Sequence, residues 1–217
     1  MINYYEGTVF NIEADAIVNT INTVGVMGAG LALEMSLRYP DMYEDYIIRC
    51  NNKELSVGKM YYYIKEDIKI INFPTKKHFK YPSQIEWVEA GLKNFVETYK
   101  GYNITSVAFP KLGTLNGGLN WIDVRNLMEK YLYDLDIMVY ICMDEKKEAE
   151  GLENLMLNDI NKMSIDELSE NIKLNRKQKT NLENLKPFKR FFTIGKIEGI
   201  GTKTYSEIFK FFYNRNK

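Results

Sequence analysis

DAIVNTINTVGVMGAGLAL, residues 15–33, decides how the chain reads. A short apolar strand, Ala16 to Val18, ends in two asparagines, Asn19 and Asn22. The glycine-rich loop Gly25-Val26-Met27-Gly28-Ala29-Gly30 comes next and leads directly into a helix. Strand, small-residue loop and helix N-terminus, in that order, present backbone N–H groups to a phosphate or a ribose. Glycine lets a ligand approach the main chain and permits positive φ. Asn22 adds a side chain that both donates and accepts, as a sugar hydroxyl requires. The spacing is G-x-x-G-x-G rather than the dinucleotide fingerprint, and no G-K-[ST] follows for a P-loop. Taken alone, the loop also fits a tight strand-to-helix turn with no ligand.

A second loop changes that balance. In FPKLGTLNGGLNW, residues 109–121, the strand Ser106 to Phe109 opens into Gly113-Thr114-Leu115-Asn116-Gly117-Gly118 before another helix. Two such loops suit a ligand with more than one phosphate or sugar, and in an open α/β sheet they gather at the carboxyl ends of the strands. Strands are expected at Ile2 to Glu6, Ala16 to Asn19, Met60 to Ile64, Ile68 to Phe73, Thr105 to Phe109 and Ile137 to Met143. Helices are expected at Ala29 to Arg38, Asp41 to Cys50, Ser83 to Tyr99 and Trp121 to Leu132. Ser83 with Glu86 three residues on reads as a capping box. The alternation predicts a mixed sheet covered on both faces, a three-layer α/β/α domain over residues 1–145. No internal repeat is visible.

Charge divides the chain. Residues 1–150 carry 16 Lys and Arg against 21 Asp and Glu, whereas residues 151–217 carry 13 against 8. The second region, 151–217, reads as a small all-helical domain, and its basic balance suits a surface facing nucleic acid. Lys196, Gly199, Gly201 and Lys203 surround the turn Gly199-Ile200-Gly201, which resembles a helix-hairpin-helix element. There, glycine amides and a helix N-terminus would meet a DNA phosphate without reading sequence. Simple helix–turn–helix packing is the other reading. Two distant cysteines, Cys50 and Cys142, and a single histidine make a metal site improbable and fit a reduced, cytoplasmic setting. No cofactor is expected. No run approaches the roughly 18 apolar residues of a membrane span.

The segment Asn72-Phe73-Pro74-Thr75-Lys76-Lys77-His78-Phe79-Lys80 comes after an apolar strand. Pro74 lacks an N–H and is expected to end strand pairing, leaving Lys76 on the loop beside the glycine loops. A desolvated lysine becomes partly neutral, and a neutral amine can attack the anomeric carbon of an opened ribose and form an imine. Lys77, His78, Phe79 and Lys80 suit a nucleic-acid strand, the cations meeting phosphates and the ring stacking on a base. A solvated basic loop is the plainer alternative.

These three motifs together resemble macrodomains of the DarG type, antitoxins of DarT/DarG systems that remove ADP-ribose from DNA. The likeness spans roughly residues 1–143 and is shared, more distantly, with the terminal ADP-ribose protein glycohydrolases. That second group carries a catalytic aspartate in its glycine loop; the matching position here is Gly117. The resemblance implies that Lys76 is catalytic. It also implies that ADP-ribose lies on Asn22, Gly25, Met27, Gly28, Ala29, Gly30 and the loop Gly113 to Gly118. Macrodomains often open Gly-Asp-Ile or Gly-Asp-Leu, the aspartate resting on adenine. This chain reads Gly7-Thr8-Val9, so Thr8 keeps a hydroxyl and loses the charge. The implied substrate is ADP-ribosylated DNA, single-stranded and modified on thymidine, and the implied partner is a DarT-like toxin. The rival readings are a protein or O-acyl-ADP-ribose hydrolase using the same lysine, a non-catalytic ADP-ribose reader, and a domain that masks a toxin by contact.

Overall fold

The computed structural model describes residues 1–217, which divide into two compact units, Met1–Glu145 and Lys146–Lys217. The first is built on six strands: β1 (Ile2–Tyr5), β2 (Ala16–Asn22), β3 (Tyr61–Lys65), β4 (Ile68–Lys76), β5 (Ser106–Pro110) and β6 (Met138–Cys142). Their order in the sheet is β1-β6-β5-β2-β4-β3, all neighbours parallel except the antiparallel pair β3–β4. Side chains alternate between faces along each strand. Ala16 and Val18 of β2 therefore join Phe73, Val107 and Phe109 beneath α3 (Ile85–Thr98) and α4 (Trp121–Leu132). Ile21, Ile70 and Cys142 instead meet Met35 of α1 (Gly30–Arg38) and Met42 and Tyr46 of α2 (Pro40–Asn51). The result is the three-layer arrangement that the alternation of elements predicted.

The strand order positions the site. β2 pairs with β4 on one side and β5 on the other, so the chain leaves β4, crosses β2 through α3 and returns as β5. Such a reversal opens a crevice at the carboxyl ends of the strands. The loops after β2, β4 and β5 all emerge there.

Two sequence expectations need correction. Strand pairing does not stop at Pro74: β4 runs to Lys76, with Ile21 opposite Pro74 and Asn22 opposite Lys76. Thr75 is the extra residue of a bulge, which absorbs the missing proline N–H and re-aims the residues after it. Ser83 is not a helix cap either. Gln84 occupies the cap position without a side-chain bond, and the Ser83 hydroxyl is buried with no partner.

The second unit holds α5 (Gly151–Lys162), α6 (Ile165–Asn171), α7 (Arg176–Asn184), a 3₁₀ turn (Phe191–Lys196) and α8 (Thr202–Asn216). Phe191 is its packing centre, edge-on to Phe209 at 5.5 Å and to Tyr205 at 6.2 Å. Ser164 caps α6, and Asn175 with Gln178 forms a capping box on α7. In chain order, α6 leads into α7 and the 3₁₀ turn into α8. Gln178 of α7 bridges to the second turn, donating to Gly199 O at 2.8 Å and to Thr204 Oγ1 at 3.4 Å. No helix of the chain is long and apolar enough to cross a membrane.

Candidate functional site

The crevice is assembled from three loops. The first, after β2, is braced from inside by Asn22. Its Oδ1 accepts from the N–H groups of Val24 at 3.0 Å and Val26 at 3.4 Å, and its Nδ2 donates to Val26 O. Tyr46 of α2, fully buried, places its hydroxyl 2.9 Å from Asn22 O and 3.1 Å from Asn22 Oδ1. Burial pushes the Tyr46 phenol above its ordinary range, so it stays a donor. Asn22 thus shapes the loop more than it reaches outward, and Tyr46, which no local motif singles out, anchors it from α2. Tyr46→Phe removes a donor shared between two acceptors. It is expected to cost about 1–2 kcal/mol, read from the shift of the urea unfolding midpoint.

Met27 turns its side chain inward, 3% exposed, into the core with Met35 and Met42. Only its backbone is left for a ligand, because a thioether at that point completes the α1/α2 core. Gly28, Ala29 and Gly30 are exposed and open α1, which has no side-chain cap and no acidic residue in its first turn. The N–H groups of that turn lack intrahelical partners, a setting favourable to an anion.

The loop after β5 is held differently. Gly113 and Gly117 are buried, not exposed to a ligand, and Ser83 packs against both. Ser83 N–H donates to Gly117 O at 2.9 Å. A Cβ on Gly117 would lie 2.1 Å from Gly113 O and 2.5 Å from Ser83 Oγ. This loop path therefore excludes an aspartate at position 117, for steric reasons alone. Thr114 turns its hydroxyl back to Lys111 O at 3.1 Å, while Leu115, Asn116 and Gly118 form the exposed part.

Lys76 and Asn116 tie the three loops together. The Lys76 ammonium donates to Asn116 O, and the Asn116 amide lies 2.9 Å from the point a Cβ on Gly30 would occupy. Gly30 itself has φ +56, so glycine is favoured there by conformation. Thr23 Oγ1 donates to Lys77 O at 2.9 Å, binding the first loop to the basic segment. Partial burial lowers the Lys76 pKa from the usual lysine range.

Beyond Lys76 the chain presents an aromatic and basic rim. His78 stacks on Phe79 at 4.5 Å and faces Tyr81 at 5.5 Å. Lys77 lies over Trp87, Lys80 over Phe79, and Phe79 and Tyr81 stay exposed. His78 Nδ1 accepts from Lys80 N–H at 3.2 Å, so the ring braces its own loop. Thr8 lies after β1, its hydroxyl accepting from Phe10 N–H at 3.3 Å. Lys196, Gly199, Gly201 and Lys203 belong to the other unit. There Gly199 has φ +88 and Gly201 precedes α8, whose first turn also lacks an acidic residue.

Residues 18–128 match the Macro domain family. The DNA ADP-ribosyl glycohydrolase of Mycobacterium tuberculosis is 39% identical over 164 residues, an alignment covering 72% of this chain and 47% of that protein. Among solved structures, the macrodomain of Thermus aquaticus DarG is 36% identical. That match covers 66% of this chain and 98% of that one, with a TM-score of 0.63. Thermosipho africanus DarTG in complex with ADP-ribose is 37% identical, covering 67% of this chain and 42% of that one, TM-score 0.62. The chain spans about half the length of the curated relatives it matches.

Proposed function

The chain belongs to the macrodomain family, and on that basis we propose that it removes ADP-ribose from a nucleobase in single-stranded DNA. Thymidine is the modified base, and the cellular role is that of an antitoxin to a DarT-like DNA ADP-ribosyltransferase. Similarity to proteins named DNA ADP-ribosyl glycohydrolase supports the reading. The observation that carries it is the position of Lys76, opposite Asn22 at the end of β4 and bonded to the loop after β5.

Chemically, the neutral Lys76 amine attacks C1″ of the ribose while the bond from C1″ to the base nitrogen breaks. The base leaves with the bonding electrons and takes up a proton, and the amine sheds one. Opening of the ribose ring gives an imine; water adds to it and returns the lysine and free ADP-ribose. The first turn of α1 and the exposed residues Leu115, Asn116 and Gly118 receive the diphosphate and ribose. Lys77, Lys80 and Phe79 hold the strand beyond the modified base.

The test is to incubate the chain with an oligonucleotide bearing ADP-ribose on thymidine and, separately, with an ADP-ribosylated protein. Clearance of the oligonucleotide is expected. Clearance of the protein alone would favour the protein hydrolase, and binding without clearance of either would favour a reader.

The second unit, in this proposal, is a helix-hairpin-helix element that adds DNA affinity and no chemistry. Lys196, Lys203 and the amides of Gly199 and Gly201 contact phosphates, so binding is insensitive to sequence and sensitive to salt. A chain ending at Glu145 is expected to retain turnover on a short modified oligonucleotide, to show a higher KM on longer DNA, and to have a shallower salt slope. Identical salt slopes for the two forms would remove the second unit from DNA binding.

A further inference from the structure

We propose that the buried amide pair Asn19–Asn72 positions Lys76, by fixing the offset of β4 against β2 just before the bulge that precedes the lysine. The inference rests on the lysine-based reading above and adds to it two positioning residues set within the core.

Asn19 of β2 and Asn72 of β4 are register partners. Both are fully buried, and Asn19 Nδ2 donates to Asn72 Oδ1 at 2.8 Å. That is the one strong bond the pair makes. The Met27 thioether, 3.9 Å from the same nitrogen, is only a weak acceptor. Asn19 Oδ1 and Asn72 Nδ2 have no partner in the protein. The nearby phenols do not supply one: Tyr61, opposite Asn72 on β3, donates to Asp45, and Tyr46 donates to Asn22.

Such a pair is a poor source of stability. A buried amide group left unpaired costs more than one neutral bond returns, and replacing both partners by apolar groups of similar shape is close to neutral or stabilising. The neighbours on the same face of the two strands are Ile17, Ile21 and Ile70, all packed toward α1 and α2. An aliphatic pair would continue that surface.

What the amides add is an offset. Isoleucines accept one another at any even shift of β4 along β2, because the same face stays buried. A bond between two short amides forms at one offset only. A buried asparagine at a coiled-coil seam fixes register in this way, at a cost in stability.

The offset matters because the chain beyond it is loosely held. Pro74 brings no N–H to the ladder, Thr75 is the extra residue of the bulge, and Lys76 is the next residue in register, opposite Asn22. Asn72 is the last residue of β4 whose side chain is bonded across to β2. One even step of β4 would carry Lys76 about 7 Å along the strand, away from Asn22 and from the carbonyl of Asn116. A far smaller slide is enough to affect the reaction, since misplacing a reacting group by about 1 Å costs up to about 100-fold in rate.

The experiment compares the wild-type chain with Asn19→Val/Asn72→Val and with Ile70→Val. Three quantities are measured: single-turnover release of ADP-ribose from the modified oligonucleotide across pH, calorimetric affinity for free ADP-ribose, and Tm. The double variant is expected to hold the wild-type Tm or exceed it. Its affinity for ADP-ribose should stay within about threefold of wild type while its plateau rate falls roughly 10- to 100-fold. The pH midpoint should not move, because the amine is misplaced and not differently protonated. Ile70→Val trims the same face without touching the amides, and it should lower Tm with the plateau rate unchanged. A double variant with a plateau rate within about threefold of wild type overturns the positioning role. So does a loss of affinity that parallels the loss of rate, or a Tm below that of Ile70→Val, since either makes the pair a support of the fold alone. Failure of the wild-type chain to release ADP-ribose overturns the lysine reading and this proposal together.

Discussion

Lys76→Ala stops release of ADP-ribose from DNA, by roughly a thousandfold or more, while the Kd for free ADP-ribose stays within a few-fold of wild type. The split comes from what the amine does. As a nucleophile it contributes to the transition state, whereas ground-state affinity comes from the glycine loops and the start of α1. Lys76→Arg is expected to be equally inactive, because a guanidinium does not deprotonate. The pH profile carries the same signature. Burial lowers the Lys76 pKa, so the neutral, attacking form gains ground as pH rises. Single-turnover rates should climb with pH and level off below the usual lysine range. Near-normal turnover in Lys76→Ala would rule out the imine route.

Gly117→Ala abolishes measurable ADP-ribose binding, a loss of roughly 100-fold or more, while the sheet and its helices remain folded. The added Cβ would meet Gly113 O at 2.1 Å and Ser83 Oγ at 2.5 Å. The first is backbone, so overpacking of this kind is relieved only by moving the loop. Moving it displaces Asn116, which both bonds Lys76 and lies against Gly30. Gly118→Ala is the contrast. Its φ is +76 but open space surrounds it, so it carries only a conformational cost of about 1–2 kcal/mol. Calorimetry with ADP-ribose, alongside thermal unfolding, separates the two variants. Wild-type affinity in Gly117→Ala would mean the loop has another path available. Gly117→Asp is expected to fail in the same way instead of adding an acid to the site.

Much of this arrangement is legible in the residues. Ala16 to Val18, Ile68 to Phe73 and Ser106 to Phe109 are largely apolar stretches, and small or polar residues follow each of them. Buried parallel strands read clearly because both faces are covered. The glycine loops declare themselves for a related reason: Gly30 has the positive φ that favours glycine, and Gly117 stands where any side chain would collide with backbone.

The features that stayed hidden depend on partners far apart in sequence. Tyr46 reads as one more apolar position on α2, yet its hydroxyl is aimed at Asn22, 24 residues away. Ser83 reads as a cap because Glu86 lies three residues on, but the hydroxyl packs against Gly113 and Gly117 instead. Pro74 is a sound strand-ending signal that a single bulged residue, Thr75, overrides. Asn19 and Asn72 lie 53 residues apart and face each other across β2 and β4, one amide bonding the other at 2.8 Å in the core. Pairings of this kind are set by register, and register is a property of the assembled sheet.

Reductive trapping on DNA probes the lysine chemistry and the substrate in one reaction. The full chain is mixed with a single-stranded oligonucleotide carrying ADP-ribose on thymidine, in the presence of cyanoborohydride, and its peptides are analysed by mass spectrometry. Release of the unmodified oligonucleotide is expected, together with a reduced ADP-ribose adduct on the peptide containing Lys76. Failure to release the oligonucleotide, or release with the adduct on another residue, would contradict the assignment of Lys76 as the nucleophile of a DNA ADP-ribosyl hydrolase.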